Sequence, residues 1–283
     1  GLEDVTNIRT RDFSNVPSPH FTVEQMGALV RIINELDADP DIHGIVITQG
    51  TDILEETAYF ADLCYQGVTP VVFTGAMRNP SLASPDGPVN LLTSVRVAER
   101  PQAQGRVLVA FNERVHAARE VTKTNSMNVD TFRSPEFGPL AVVDESRVTW
   151  RRAPVDTDSN LTVDFDAVRN DVHAVTATAD MPPAQIEAAS DAAALCLAAT
   201  GAGHIPPGTI PALEQLRDED VPSVATTRCV EGRLARETYG FKGSEATLQE
   251  LGCLYSDLNL QKTRIRTIVA LAAGALHTAF ESP

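Results

Sequence analysis

The sequence predicts an α/β protein: a larger N-terminal domain built on a mostly parallel sheet, followed by a smaller α/β domain. Short β-branched runs alternate with helical patterns, glycine closes several of those runs, and the text turns polar between Asp156 and Asp171. A continuous apolar run is what a strand buried on both faces requires. Strands alternating with helices give parallel sheets covered on both sides. At 283 residues the chain is long enough for two such domains.

The first helix is expected over "TVEQMGALVRIINELD". Thr22 and Gln25 have capping-box spacing, and Val23, Met26, Val30, Ile33 and Leu36 recur on one helical face. "GIVITQG" follows as a buried strand. "DILEETAYFADLCY" is the next helix, its early acids suiting the positive end of a helix dipole. "PVVFTGA" and "RVLVAFN" are further strands, with the helix "NLLTSVRVAE" between them. This alternation fits a flavodoxin-like sheet covered by helices. Residues 156–171, "DTDSNLTVDFDAVRND", are aspartate-rich and aperiodic, and are expected to link an N-terminal domain 1–155 to a C-terminal domain 172–283. There "AALCLAATGAGHIP" repeats the strand-then-glycine grammar. A helix near Thr209–Arg217, a strand "SVATTR" and a last helix "LQKTRIRTIVALAAGAL" complete that domain. The opening "GLEDVTNIRTRDFSNV" is polar and mixed, with no obvious strand.

Composition narrows the function. A net charge of −15 disfavours a nucleic-acid partner, because phosphate binding needs a basic stripe. No apolar stretch approaches the ~20 residues of a membrane span, so no membrane partner is expected. The four cysteines form no CxxC pair and the six histidines no ligand spacing, so no metal is expected. Cys64, Cys196 and Cys253 stand among apolar residues as buried thiols, which favours a reducing, cytoplasmic location.

Chemistry concentrates where strands end. Ligands of open parallel sheets bind beyond the carboxyl ends of the strands, and glycine lets the backbone turn and approach closely there. Thr51 and Asp52 follow Gly50 at such an exit, and backbone amides at a helix start favour negative charge. The plainer reading makes the pair an N-cap, with Gly50 permitting the turn. Thr74-Gly75-Ala76 allows the same two readings. "EVTKTNSMNVDTFRSP" is expected as a long aperiodic loop, of the kind that is more often functional than a short one. Its Lys123 could join an alcohol and an acid in a nucleophile–base–orienter set.

Together these stretches resemble the bacterial-type L-asparaginase (asparaginase/glutaminase) family. The resemblance rests on "GIVITQGTDILEETAYF", "PVVFTGAMRNPSLASPDGPVNL" and "AREVTKTNSMNVDTFRSPEFGPL", then "TGAGHIP", "VPSVATTR" and "LNLQKTRIRTIVALA", in order along the chain. It implies hydrolysis of the side-chain amide of asparagine, with glutamine as a second candidate, and no metal or cofactor. It also implies catalytic roles for Thr51, Asp52 and Lys123. Substrate binding would fall to Ser18, Gly50, Thr51, Asp52, Ala76 and His204. A homo-oligomer, dimer or tetramer, would place the C-terminal domain of one subunit at the site of another. Some positions depart from the pattern. Gln49 stands where histidine is usual, Pro19 where glutamine is frequent, and His204 where asparagine is frequent. The family's N-terminal TGGT turn is absent from this sequence, so the first strand of the N-terminal domain is expected to be missing. A non-catalytic amino-acid-binding homologue is the alternative.

Overall fold

Helix α1, Val23–Asp37, starts at the expected capping box. The Gln25 amide donates to Thr22 Oγ1 at 3.3 Å, and the Thr22 amide donates to Gln25 Oε1 at 2.9 Å. Val23, Met26, Leu29, Val30 and Ile33 form its buried stripe. The computed structural model describes residues 6–154 and 161–280, divided into two compact units, Gly1–Asn160 and Leu161–Pro283. Residues 156–160 of the expected linker lie outside the described residues; 161–171 form neither helix nor strand.

In the first unit, β1 (Ile45–Thr48), α2 (Leu54–Cys64), β2 (Val71–Thr74), α3 (Gly87–Ala98) and β3 (Val107–Phe111) alternate as expected. β1 pairs with β2 and β2 with β3, all parallel. Every residue of β2 and β3 is buried, which is why both read as unbroken apolar runs. Val97 and Ala98 of α3 pack on Val72, Leu108 and Ala110, while α2 also packs against β2 and β3.

Beyond β3 the six-stranded sheet continues antiparallel through β4 (Arg114–Ala117), β7 (Ala141–Asp144) and β8 (Arg147–Trp150), in the order β1-β2-β3-β4-β7-β8. The β3–β4 turn is Asn112-Glu113, both with positive φ (48° and 56°), a backbone that matches the twist of a tight hairpin. The stretch expected as an aperiodic loop instead carries a small antiparallel ribbon, β5 (Thr122–Lys123) against β6 (Phe132–Arg133). Phe132 anchors it on Phe111 at the end of β3, with ring centroids 4.7 Å apart.

The second unit holds a four-stranded parallel sheet, β12-β11-β10-β9, from β9 (Val172–Thr176), β10 (Ala194–Ala199), β11 (Ser223–Thr227) and β12 (Leu254–Tyr255). Around it lie α4 (Ala184–Glu187), α5 (Ile210–Asp218), α6 (Glu245–Glu250), α7 (Leu260–Ala272) and α8 (Leu276–Ala279). The last expected helix breaks between α7 and α8, where Gly274 adopts φ 62°.

Candidate active site

The C-terminal ends of β1 and β2 are held in register, Thr48 opposite Thr74, so the two exits leave the sheet side by side. They could not be closer. A Cβ on Gly75 would lie 2.3 Å from the Gln49 carbonyl oxygen, and one on Gly50 would lie 2.9 Å from both Cβ and Oγ of Ser18. A side chain at Gly75 would collide with the backbone, and one at Gly50 would force Ser18 to move.

Thr51 and Asp52 occupy the turn between β1 and α2. The N-cap position of α2 belongs to Ile53, and no side chain caps this helix. The two polar groups turn to Lys123, whose Nζ donates to Thr51 Oγ1 at 2.9 Å and to Asp52 Oδ1 at 2.8 Å. The lysine side chain is 15% exposed and the aspartate 60%, so the amine is sheltered while the acid faces outward. The Lys123 main chain is fixed as well: its amide donates to Glu55 Oε2 at 3.1 Å, and Glu55 is itself buried in the first turn of α2. Ser18 is buried at the start of a short 3-10 turn, and its Oγ accepts the Asp52 amide at 3.3 Å. That bond uses a lone pair of the hydroxyl and leaves its proton available to an anion. Gln49 donates to Thr57 Oγ1 at 3.0 Å, tying the same turn to α2.

The structure thus brings Ser18, Gly50, Thr51, Asp52 and Lys123 together, with Ala76 exposed on the adjacent exit. A cavity of about 1120 Å3 runs along β1 and reaches Ser18, Gly50, Gly75 and Ala76. His204 belongs to the second unit. Its ring lies between Tyr239 and Phe241, with centroids 4.8 and 4.9 Å away, and its Nε2 is 3.6 Å from Glu245 Oε2. Burial by itself would raise the Glu245 carboxyl; the amides of Tyr239, Glu245 and Thr238, with His204 nearby, bring it below the ordinary value.

Three residues at the site were not singled out from the sequence. Glu55 looks like an ordinary helix-dipole acid. Asp86 and Asn90 look like the start of a helix, yet they bind the Gly75–Arg78 turn from beneath. Their spacing of four, one helical turn, is the sole trace in the sequence. Among the described residues no group of three or more His, Cys, Asp or Glu could hold a metal ion, and no helix is long and apolar enough to cross a membrane.

Comparison with known proteins identifies the family and the fold. The family model "Asparaginase, N-terminal" matches residues 1–156, and "Glutaminase/Asparaginase C-terminal domain" matches residues 171–281. A probable L-asparaginase of Deinococcus radiodurans is 35% identical over 97% of this chain and 84% of its own length. A glutaminase-asparaginase of Pseudomonas fluorescens is 31% identical over 95% of this chain and 75% of its own. The crystal structure of a probable cytoplasmic L-asparaginase from Campylobacter jejuni superposes with a TM-score of 0.85 at 30% identity, covering 95% of this chain and 86% of that one.

Proposed function

Since the chain belongs to the asparaginase family, we propose that it hydrolyses the side-chain amide of L-asparagine to aspartate and ammonia, with Thr51, Lys123 and Asp52 as the reacting set. The observation that carries the assignment of roles is the double contact of Lys123 Nζ with Thr51 Oγ1 and Asp52 Oδ1. In its neutral form the lysine amine accepts the threonine proton along the same 2.9 Å line, the reverse of the donation seen at rest. The freed oxygen attacks the amide carbon, or draws a proton from a water that does so. The C–N bond breaks as Lys123 passes its proton to the departing amide nitrogen, which leaves as ammonia. Where an ester to Thr51 has formed, water completes its hydrolysis. Asp52 orients the amine, and its exposed carboxylate meets the substrate's α-ammonium. The Ser18 hydroxyl donates to the α-carboxylate. No cofactor takes part.

Asparagine is the principal substrate in this reading and glutamine a secondary one, a ratio that Gln49 at the turn would influence. We also assign the protein to the cytoplasm, on its unpaired thiols, and to a homodimer or homotetramer in which His204 approaches a neighbouring copy's site. The exposed rings of Tyr239 and Phe241 beside His204 support such a contact. Static light scattering tests it: a dimeric or tetrameric mass is expected, and a monomer at micromolar concentration contradicts it.

The function is tested by assaying ammonia release from asparagine and glutamine while titrating aspartate by calorimetry. Release with asparagine preferred is the expected result. Aspartate binding without any release would select the non-catalytic homologue instead.

A further inference from the structure

Ala76 is gripped on both sides and left open in the middle. Before it, the Gly75 carbonyl accepts from Asn90 Nδ2 at 3.0 Å. After it, the amides of Met77 and Arg78 donate to the two carboxylate oxygens of Asp86 at 3.1 and 2.9 Å. Asn90 Nδ2 also donates to Asp86 Oδ2 at 3.1 Å, and Asn90 Oδ1 accepts the Asn112 amide at 2.9 Å. Asn90 is wholly buried, and its side chain joins the exit of β2, the exit of β3 and the start of α3. Asp86 holds the N-cap position of α3 but gives that helix no side-chain cap; its carboxylate serves the turn instead. Among the described residues no hydrogen bond engages the Ala76 peptide groups, and Ala76 is exposed.

This differs from an ordinary structural knot. Side chains that bond both flanks of an exposed residue fix where its peptide groups point, and those groups, open to water, remain available to a ligand. Here the Gly75 carbonyl and the Met77 and Arg78 amides are bonded by Asn90 and Asp86, and the exposed Ala76 between them stays open to a ligand. The separation across that gap is fixed too, since Gly75 abuts the Gln49 carbonyl, and a Cβ there would stand 3.4 Å from Thr51 Cγ2.

We infer that Asp86 and Asn90 are positioning residues that hold the free peptide groups of Ala76 opposite Thr51, where they receive the scissile amide. The inference rests on the reading of Thr51 as the reacting alcohol and adds a second, rigid wall to that site. Positioning of this kind acts on the chemical step: an error near 1 Å costs on the order of 100-fold in rate.

The test compares Asn90→Asp, Asp86→Asn and Thr51→Ala by asparagine kinetics, aspartate calorimetry and thermal melting. Asn90→Asp keeps the volume but replaces the donor facing Gly75 with an acceptor. It is expected to lower kcat by about 10- to 100-fold, with KM within about threefold and aspartate stoichiometry near that of the unaltered protein. Should that variant fail to fold, Asp86→Asn decides the matter, with a kcat loss of about tenfold expected per competent binding site. Unchanged kcat in the folded variants overturns the inference. So does a loss of activity matched by an equal loss of binding stoichiometry, which would mark a folding role only. Failure of the underlying reading looks different: Thr51→Ala then retains turnover, whatever the other two variants do.

Discussion

Lys123 reaches Thr51 across 72 residues of chain, and its position depends on neighbours that have no part in the chemistry. Phe132 seats the β5–β6 ribbon on Phe111, and Glu55 receives the Lys123 amide. Lys123→Met removes the amine while keeping much of the stem, so it should abolish measurable ammonia release at every pH assayed and leave the melting temperature within a few degrees. Gly50→Ala makes a gentler probe. Its Cβ would displace Ser18, so aspartate affinity measured by calorimetry should fall about tenfold, the worth of one hydrogen bond to a charged group. Cysteine chemistry is also decided residue by residue. Burial pushes the Cys64, Cys196 and Cys253 thiols up to about 12, whereas Cys229 is exposed. A maleimide applied to the native protein should therefore label Cys229 alone, as read by peptide mass mapping; rapid labelling of another cysteine would contradict the packing described.

At the scale of elements, the C-terminus of α1 is tied to the connection between α2 and β2 through Asp37. Its Oδ1 accepts the Tyr65 hydroxyl at 2.7 Å and the amides of Val68 and Thr69 at 3.0 and 2.8 Å. Burial works to raise this carboxyl, but the hydrogen bonds together bring it below the ordinary value. A lowered carboxylate pKa gives stability that is fully present above the unfolded value and is lost as pH falls through the folded one. Asp37→Asn should thus lower stability by about 1–3 kcal/mol at pH 7, with the difference from the unaltered protein shrinking below about pH 4. Melting curves across that range check it; a penalty that persists undiminished in acid would point to packing rather than charge. The Thr22–Gln25 box is the simpler case. Losing it through Thr22→Ala should cost about 1 kcal/mol, a shift of roughly 2–4 °C in the melting temperature.

For the whole molecule, what could be read from the sequence depended on how directly a residue's role is written in its neighbours. β2 and β3 were legible because strands buried on both faces must be apolar throughout; β1, expected to be buried likewise, runs instead from buried Ile45 through half-buried Val46 and Ile47 to exposed Thr48. The antiparallel extension was not legible. Its turn is built from Asn112-Glu113 rather than a glycine pair, and β4, β7 and β8 mix polar with apolar residues. Thr51 and Asp52 stood out at a strand exit and Lys123 in a long polar stretch, the family resemblance assigned their roles, and their mutual contact needed coordinates. Asp86, Asn90 and Glu55 were hidden, since each resembles the routine start of a helix and its value lies in a partner far away in sequence.

The claim on which the rest depends is that the Thr51 alcohol, relayed through Lys123, breaks the asparagine amide. Steady-state ammonia release from asparagine by Thr51→Ala, beside the unaltered protein, addresses it most directly. A loss on the order of 1000-fold or more is expected, with aspartate still bound and the fold intact. Release within a few-fold of the unaltered rate contradicts it.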